Sequence, residues 1–239
     1  MKTLVTIATY NERENLQALI REVLAARPGI EVLVIDDNSP DGTGELAEEL
    51  RAADARVHVI HRPAKLGLGS AILEALQYAR DHRYDFALNM DADFSHHPRY
   101  IGALVEAMSR SDVAIGSRYV TGGGVEGWSL ERQLISRAVN WYSRWILGLS
   151  ARDSSGGFRC YRVSALSQVN FGEILSRGYS FQEEFLFRLA RVGLRIAEVP
   201  IVFAKREKGA SKVSLREMVR SAWALLRLRV VSLFKRASG

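Results

Sequence analysis

Phe86-Ala87-Leu88-Asn89-Met90-Asp91-Ala92-Asp93 puts an apolar run of strand length directly before two carboxylates two residues apart. In an extended chain such a pair points to one side. At the carboxyl end of a buried strand, two carboxylates can share one hard cation. Oxygen ligands of this kind suit Mg²⁺ or Mn²⁺, and Mg²⁺ commonly completes its shell with substrate phosphates. An Asp-X-Asp alone is also a common polar turn, so the strand in front of it carries the argument. Pro98, just beyond His96-His97, marks the start of a helix expected to run to Ser109.

The same unit repeats on both sides of this stretch. Strands are expected at Thr3–Ala8, Glu31–Ile35, Val57–His61, Phe86–Met90 and Val113–Ser117. Between them, helices are expected over Glu12–Ala26, from Thr43 to about Arg51, and over Leu68–Arg80. Asn11 is a candidate N-cap for the first of these, with Glu14 three residues on. Apolar strands alternating with helices imply βαβ units, a mostly parallel central sheet and right-handed crossovers. The fold class is therefore α/β, a single Rossmann-like domain. In such sheets ligands bind beyond the carboxyl ends of the strands. The polar clusters Tyr10-Asn11-Glu12, Asp36-Asp37, 62–69 and 91–97 fall there.

After the glycine run 121–124 the pattern loosens. A helix is expected over Ser129–Leu147, with apolar residues at Leu130, Leu134, Ala138, Trp141 and Trp145. A strand at Phe158–Tyr161, a helix at Phe181–Val192 and a strand at Ile196–Ala204 broken by Pro200 follow. A basic amphipathic helix closes the chain from about Ser214 to Lys235. We expect a catalytic domain over 1–212, which includes the helix at about 129–147, and a basic helix over 213–239.

Composition narrows the function classes. The chain has 239 residues, 47% of them hydrophobic, enough for a sizeable core. One cysteine, Cys160, excludes an internal disulfide framework and fits a reducing compartment. No secretory leader and no apolar run of 18 residues is visible, so no transmembrane helix is expected. Residues 1–112 carry 12 Lys+Arg and 18 Asp+Glu, whereas 113–239 carry 21 and 9. The basic second half suits an anionic partner: phosphate, nucleic acid or an acidic membrane surface. It also fits a plain solvated face.

Other candidates are weaker alone. Asp36-Asp37 ends a strand and could bond a ribose or base, or cap a helix. Gly67-Leu68-Gly69 is no dinucleotide fingerprint, because Ile72 stands where the third glycine belongs. A tight turn near a phosphate, with Lys65 beside it, remains open. The five histidines form no HExxH pattern, and no nucleophile-elbow serine occurs. Arg118, Arg132, Arg206 and Lys212 lie near glycines and hydroxyls, and arginine forks match phosphate geometry.

Taken together, several strings resemble family-2 glycosyltransferases of GT-A fold and, within them, the polyprenyl-phosphate (dolichyl-phosphate) mannose synthases. The resemblance runs from about Leu4 to Arg229. It rests on residues 9–12, 35–43 and 90–98. It continues through Gly116-Ser117-Arg118-Tyr119, 123–128, Ile135-Ser136-Arg137, Gly157-Phe158-Arg159, 178–184 and 206–212.

The resemblance implies inverting transfer of mannose from GDP-mannose to a polyprenyl or dolichyl phosphate. It implies that Ala8, Tyr10, Glu12 and Asp37 line the nucleotide pocket, with Lys65, Ala92 and Lys212 on the same surface. It implies that Asp91 and Asp93 hold Mg²⁺ or Mn²⁺ and the diphosphate. Arg206 would sit near the donor phosphates, and Arg118, Arg132 and Ser136 would take the acceptor phosphate. Two departures matter. Some relatives have proline at the position of Ala8 and glutamine at that of Ser95, so Ser95 would be a weaker metal ligand or act through water. Many relatives also carry transmembrane helices. This chain would then be peripheral on the cytoplasmic face of an anionic membrane, or be brought there by a separate anchoring subunit.

Tryptophan with arginine on two helices has the composition of an interfacial helix. The plainer reading is that these apolar stripes pack on the sheet or form a dimer. The alternatives are a UDP-glucose-dependent polyprenyl-phosphate glucosyltransferase, a nucleic-acid-binding module and a silent interaction subunit. A nucleic-acid module leaves the acidic strand ends unexplained, so no nucleic acid is expected among the partners. The carboxylates and arginines argue against a silent subunit.

Overall fold

The computed structural model describes residues 1–176, 178, 180–204 and 215–237, with side chains of the last helix described over 220–232. Strands β1 (Thr3–Thr9), β2 (Ile30–Asp36) and β3 (Val57–His61) alternate with helices α1 (Arg13–Ala26), α2 (Thr43–Ala53) and α3 (Leu68–Asp81). β4 (Phe86–Asp91) leads through a short 3₁₀ turn at Pro98–Tyr100 into α4 (Ile101–Ala107), followed by β5 (Val113–Ser117) and the short β6 (Gly124–Val125). Then come α5 (Leu130–Leu147), β7 (Arg159–Arg162), α6 (Phe181–Arg191), β8 (Ile196–Pro200), β9 (Val202–Phe203) and α7 (Leu215–Ala237).

Seven strands form one sheet in the order β3-β2-β1-β4-β7-β5-β8, parallel except for β7. The two-residue period of the strands divides the core into two layers. Leu33, Ile35, Ala87, Val113 and Ile115 face α3 and α6 with Leu76, Phe185 and Leu189. Val32, Val34, Leu88, Met90 and Ala114 face α1 and α4 with Leu16, Leu19 and Leu104. Parallel strands covered on both faces read as continuous apolar runs, which is how they appear in the sequence.

Three expectations change. Asn11 does not cap α1. It adopts a left-handed φ of 63°, and Glu12 takes the cap position without a side-chain cap bond. The 36–43 turn holds the entry to the helix instead: Asn11 N–H bonds Ser39 Oγ at 3.0 Å, Glu12 N–H bonds Thr43 Oγ1 at 3.0 Å and Arg13 N–H, the first of the helix, bonds Asp41 Oδ2 at 3.3 Å. The strand expected over Ile196–Ala204 is split at Pro200: β8 stays in the main sheet, and β9 pairs with β6 in a separate ribbon.

The largest change concerns α5. Its apolar stripe does not pack on the sheet. Asn140, Ser143 and Leu147 are its buried residues, while Trp141 and Trp145 are 66% and 69% exposed, their rings parallel with centroids 6.3 Å apart. α7 lies against α5 and α6, where it buries Leu225, and Tyr142 Oη donates to the Ala222 carbonyl at 3.0 Å. Trp223 and Leu226 of α7 are exposed as well.

Candidate active site

The strand order reverses between β1 and β4, which makes their carboxyl ends the crevice of the sheet. Register places Ala8 directly beside Asp91. Tyr10 follows, and Lys65 Nζ sits 3.8 Å above its ring, so the 62–68 loop and the β1 loop form one wall. Glu12 lies on the same loop, where its carboxylate accepts from Asn15 Nδ2 at 3.1 Å.

The two adjacent aspartates separate by role. Asp36 accepts from Thr9 Oγ1 at 2.9 Å, Ser39 Oγ at 2.5 Å and Ser39 N–H at 2.9 Å, so it fastens the turn. Asp37 points the other way, with Arg62 Nη1 2.8 Å from its Oδ1. Burial raises the Asp37 pKa, against the pull of Arg62 and of the Gly67 and Leu66 N–H groups. The Gly67 turn thus serves Asp37, with Gly67 at φ 95°. Gly69 is glycine for packing: a Cβ there would stand 2.6 Å from Phe181.

At the end of β4, Asp91 is partly exposed and Asp93 is buried. Ser95 N–H donates to Asp93 Oδ1 at 3.1 Å and its hydroxyl bonds the same oxygen, which makes Ser95 an orienting partner of Asp93. His96 is buried between Phe158, at 5.0 Å, and Phe203, at 5.2 Å. Its Nδ1 accepts from Asp91 N–H at 3.1 Å. Burial depresses its pKa, so it is the neutral ring that fixes the Asp91 backbone. Among the described residues, no three His, Cys, Asp or Glu side chains gather in metal-holding geometry. Among these residues the candidate donors at the end of β4 are the carboxylates of Asp91 and Asp93. This set fits a Mg²⁺- or Mn²⁺-type ion that takes its remaining oxygens from phosphate and water.

The antiparallel strand explains how the second half reaches this place. Because β7 runs against β4 and β5, the loop that enters it, 153–158, lies where the parallel strands exit. Asp153 is fully buried there. It accepts from Arg118 N–H at 3.0 Å, Nε at 2.7 Å and Nη2 at 2.7 Å. Burial disfavours both charges, but their mutual attraction outweighs it: the Asp153 pKa is lowered and the Arg118 pKa raised. Arg118 also feels the charge of Asp91.

A cavity of about 230 Å³ opens beside Arg118, lined by Tyr119, Gly123, Gly124, Val125, Gln133 and Arg137. Tyr119 Oη and Ser136 Oγ are 2.6 Å apart. Arg132 stacks over the Trp128 ring at 4.0 Å. Asn140, on the buried face of α5, accepts from Ser154 N–H at 2.9 Å and donates to Ser155 Oγ at 3.0 Å. The polar underside of α5 therefore holds the loop that holds Arg118.

The structure places Ala8, Tyr10, Glu12, Asp37, Lys65, Asp91, Asp93 and Ser95 at the strand ends along one crevice, and Arg118, Arg132 and Ser136 around α5; Ala92, expected on the nucleotide surface, instead turns its side chain into the core against α1 and α4. Arg206 and Lys212 lie outside the described residues. Residue-by-residue reading missed Asp153, Asn140, Arg137 and Arg159. Arg159 is fully buried and donates to the carbonyls of Gly156 and Gln182, both at 2.8 Å, and of Ser154 at 2.6 Å. It also missed Glu183, whose carboxyl burial pushes up to about 7. Arg137, Arg159 and Glu183 fall within strings that carried the resemblance, which was the available signal.

The profile of glycosyl transferase family 2 matches residues 4–169. A polyprenol monophosphomannose synthase of Mycolicibacterium smegmatis is 45% identical over 215 residues, which cover 89% of this chain and 81% of that one. An undecaprenyl-phosphate mannosyltransferase of Micrococcus luteus is 44% identical over 214 residues, covering 90% and 88%. Among solved structures, glucosyl-3-phosphoglycerate synthase from Mycobacterium tuberculosis, in complex with Mn²⁺, UDP and glucosyl-3-phosphoglycerate, superposes with a TM-score of 0.66. It is 22% identical and covers 95% of this chain and 79% of its own, a likeness of fold.

Proposed function

This chain belongs to glycosyl transferase family 2, and from that membership we propose that it transfers mannose from GDP-mannose to a polyprenyl phosphate. The observation that carries the acceptor class is α5. It sets an arginine-lined cavity beside the carboxylate crevice and turns tryptophans outward. A phosphate on an isoprenoid tail needs both surfaces. The mannosyltransferase names of the two relatives support the sugar and the lipid.

Ala8, Tyr10, Glu12, Asp37 and Lys65 would line the nucleotide site, with Ala92 at the turn below it and Arg206 and Lys212 completing the donor surface. Asp91 and Asp93 would hold Mg²⁺ or Mn²⁺, with Ser95 orienting Asp93. Such an ion supplies positive charge to the departing diphosphate. Arg118, fixed by Asp153, keeps a permanent positive charge at the cavity wall. Arg132, Ser136 and Arg137 would orient the acceptor phosphate for attack on the anomeric carbon, with inversion. The acceptor needs no dedicated base, because a phosphate monoester has its second pKa near about 6 and is already anionic at neutral pH.

Residues 1–212 form the transferase unit in this reading, and α7 an interfacial helix. Among the described residues no helix is long and apolar enough to cross a membrane. The exposed faces of α5 and α7 would instead rest on an anionic surface, the cytoplasmic face of a membrane.

Radiolabelled GDP-mannose and UDP-glucose offered to a polyprenyl phosphate with Mg²⁺ or Mn²⁺ test this. Label from GDP-mannose should pass into a solvent-extractable lipid. Asp93→Asn should cut turnover on the order of a thousandfold, the loss of several kcal/mol of charge stabilisation. Transfer from UDP-glucose alone would change the sugar. Full activity of Asp93→Asn, or in excess chelator, would remove the ion from the reading.

A further inference from the structure

Pro200 ends β8, and the residues after it bridge two parts of the site. Along one side they are stitched to the stretch in front of α5. Gly124 N–H bonds the Ile201 carbonyl and Glu126 N–H bonds the Phe203 carbonyl, both at 2.9 Å. Along the other side they are stitched to the loop after β4. Val202 N–H bonds Tyr100 Oη at 3.0 Å, and Ala204 N–H bonds the Ser95 carbonyl at 3.4 Å. Alternate residues of a strand point to one face, so Ile201 and Phe203 enter the protein together. Ile201 packs under Gly116, where a Cβ would stand 3.1 Å from its Cδ1, and Phe203 is buried beside it.

The Phe203 ring meets one aromatic side chain from each part. It stands edge-on to His96, centroids 5.2 Å apart at 79°, and edge-on to Trp128, 5.5 Å apart at 74°. Beyond His96, the Nδ1 atom accepts from Asp91 N–H at 3.1 Å. Beyond Trp128, the Arg132 guanidinium lies over the indole at 4.0 Å. Three ring contacts and one hydrogen bond thus join the end of β4 to an arginine on the first turn of α5. Contacts of this kind depend on ring orientation as well as on apolar area. Arg118 also lies over Phe203, at 5.5 Å, but its bonds to Asp153 already hold it.

We propose that Phe203 is a positioning residue shared by the two ends of the site. Its ring sets His96 against Asp91 and Trp128 beneath Arg132, so that the diphosphate end and the acceptor-phosphate end keep one spacing. This rests on the transferase reading above. Attack of one bound group on another needs both held at a fixed separation, and a small displacement of either is costly. The β6–β9 ribbon touches both ends, and Phe203 is the side chain through which it does so.

Calorimetry of GDP in the presence of Mn²⁺, together with the acceptor KM, tests this on Phe203→Leu, Arg132→Ala and the double variant. Leucine keeps an apolar side chain in place and removes the ring. Phe203→Met fills more of the space and repeats each measurement at a smaller cost in stability. Phe203→Leu should weaken GDP binding about fivefold and raise the acceptor KM about fivefold, what one edge-to-face ring contact is worth. Arg132→Ala should move the KM alone. In the double variant the KM should stay within about twofold of that of Arg132→Ala, because the ring acts on the acceptor through that arginine. A general loosening of the fold would multiply the two effects instead. Multiplied KM effects, or a GDP affinity that Phe203→Leu and Phe203→Met leave unchanged, overturn the shared role while the transferase reading stands. A wild type that neither binds GDP nor transfers label overturns the reading and the proposal together.

Discussion

α1 and α5 carry apolar residues at the same helical spacing and turn them in opposite directions. α1 buries Leu16, Leu19, Ile20 and Val23 against the sheet. α5 buries Asn140, Ser143 and Leu147, and turns Leu130, Leu134, Trp141 and Trp145 outward. Periodicity shows that a helix has a stripe; it does not show what covers the stripe. The difference follows from what lies beneath each helix. Under α1 is an apolar strand face. Under α5 is the 153–155 loop, whose backbone N–H groups and hydroxyls must be bonded, and Asn140 bonds them. Among the described residues, nothing covers the side of α5 that carries Leu130, Leu134, Trp141 and Trp145.

The strongest way to break this comparison is at the polar side. Asp153→Ala leaves the Arg118 charge buried without its partner and should cost about 3–5 kcal/mol in urea unfolding. Acid should act in the same direction. The folded Asp153 pKa lies below the unfolded value of about 3.9, so its contribution is full above that value. It is lost as pH falls through the depressed folded value. An Asp153→Ala protein as stable as the wild type would mean that the inner face of α5 is not held by this pair.

Truncating one leucine on each helix gives the direct contrast. Leu19→Ala should destabilise the fold by about 2–5 kcal/mol, because it opens a cavity. Leu134→Ala should stay within about 0.5 kcal/mol, because its side chain already meets solvent. Equal costs would put the α5 stripe in an interface, such as a dimer, in solution.

The first turn of α5 carries the next largest effect, on ligand rather than fold. Arg132→Ala should raise the acceptor KM roughly tenfold, the worth of one charge-assisted hydrogen bond, and leave GDP affinity unchanged. A collapse of GDP affinity with an unaltered acceptor KM would move Arg132 to the donor side.

The smallest effect on the protein itself is expected from Trp141→Ser combined with Trp145→Ser. Thermal stability should hardly move, whereas sedimentation with anionic vesicles at low salt should weaken. Wild-type binding should fade as salt screens the basic side chains. A wild type that ignores anionic vesicles at every salt concentration would assign the stripe to a protein partner, such as a separate anchoring subunit.

The amino-acid sequence by itself determined the first half of this protein. Apolar strands of the right length, helices between them and carboxylates at their ends are local patterns, and a parallel sheet covered on both faces is the arrangement that satisfies them. The strand-end places of Asp91, Asp93, Asp37 and Tyr10 were legible because each lies at, or within two residues of, the end of a strand whose direction fixes where that end lies. Tertiary structure decided the rest. The insertion of β7 between β4 and β5 depends on pairing between strands about 70 residues apart in the chain, and no local period reports it. That insertion delivers Asp153 to Arg118 and Gly157 to Asp91. Likewise the outward turn of α5 is a fact of burial. Burial is set by which surfaces meet, and a single chain of residues does not state this until it has folded.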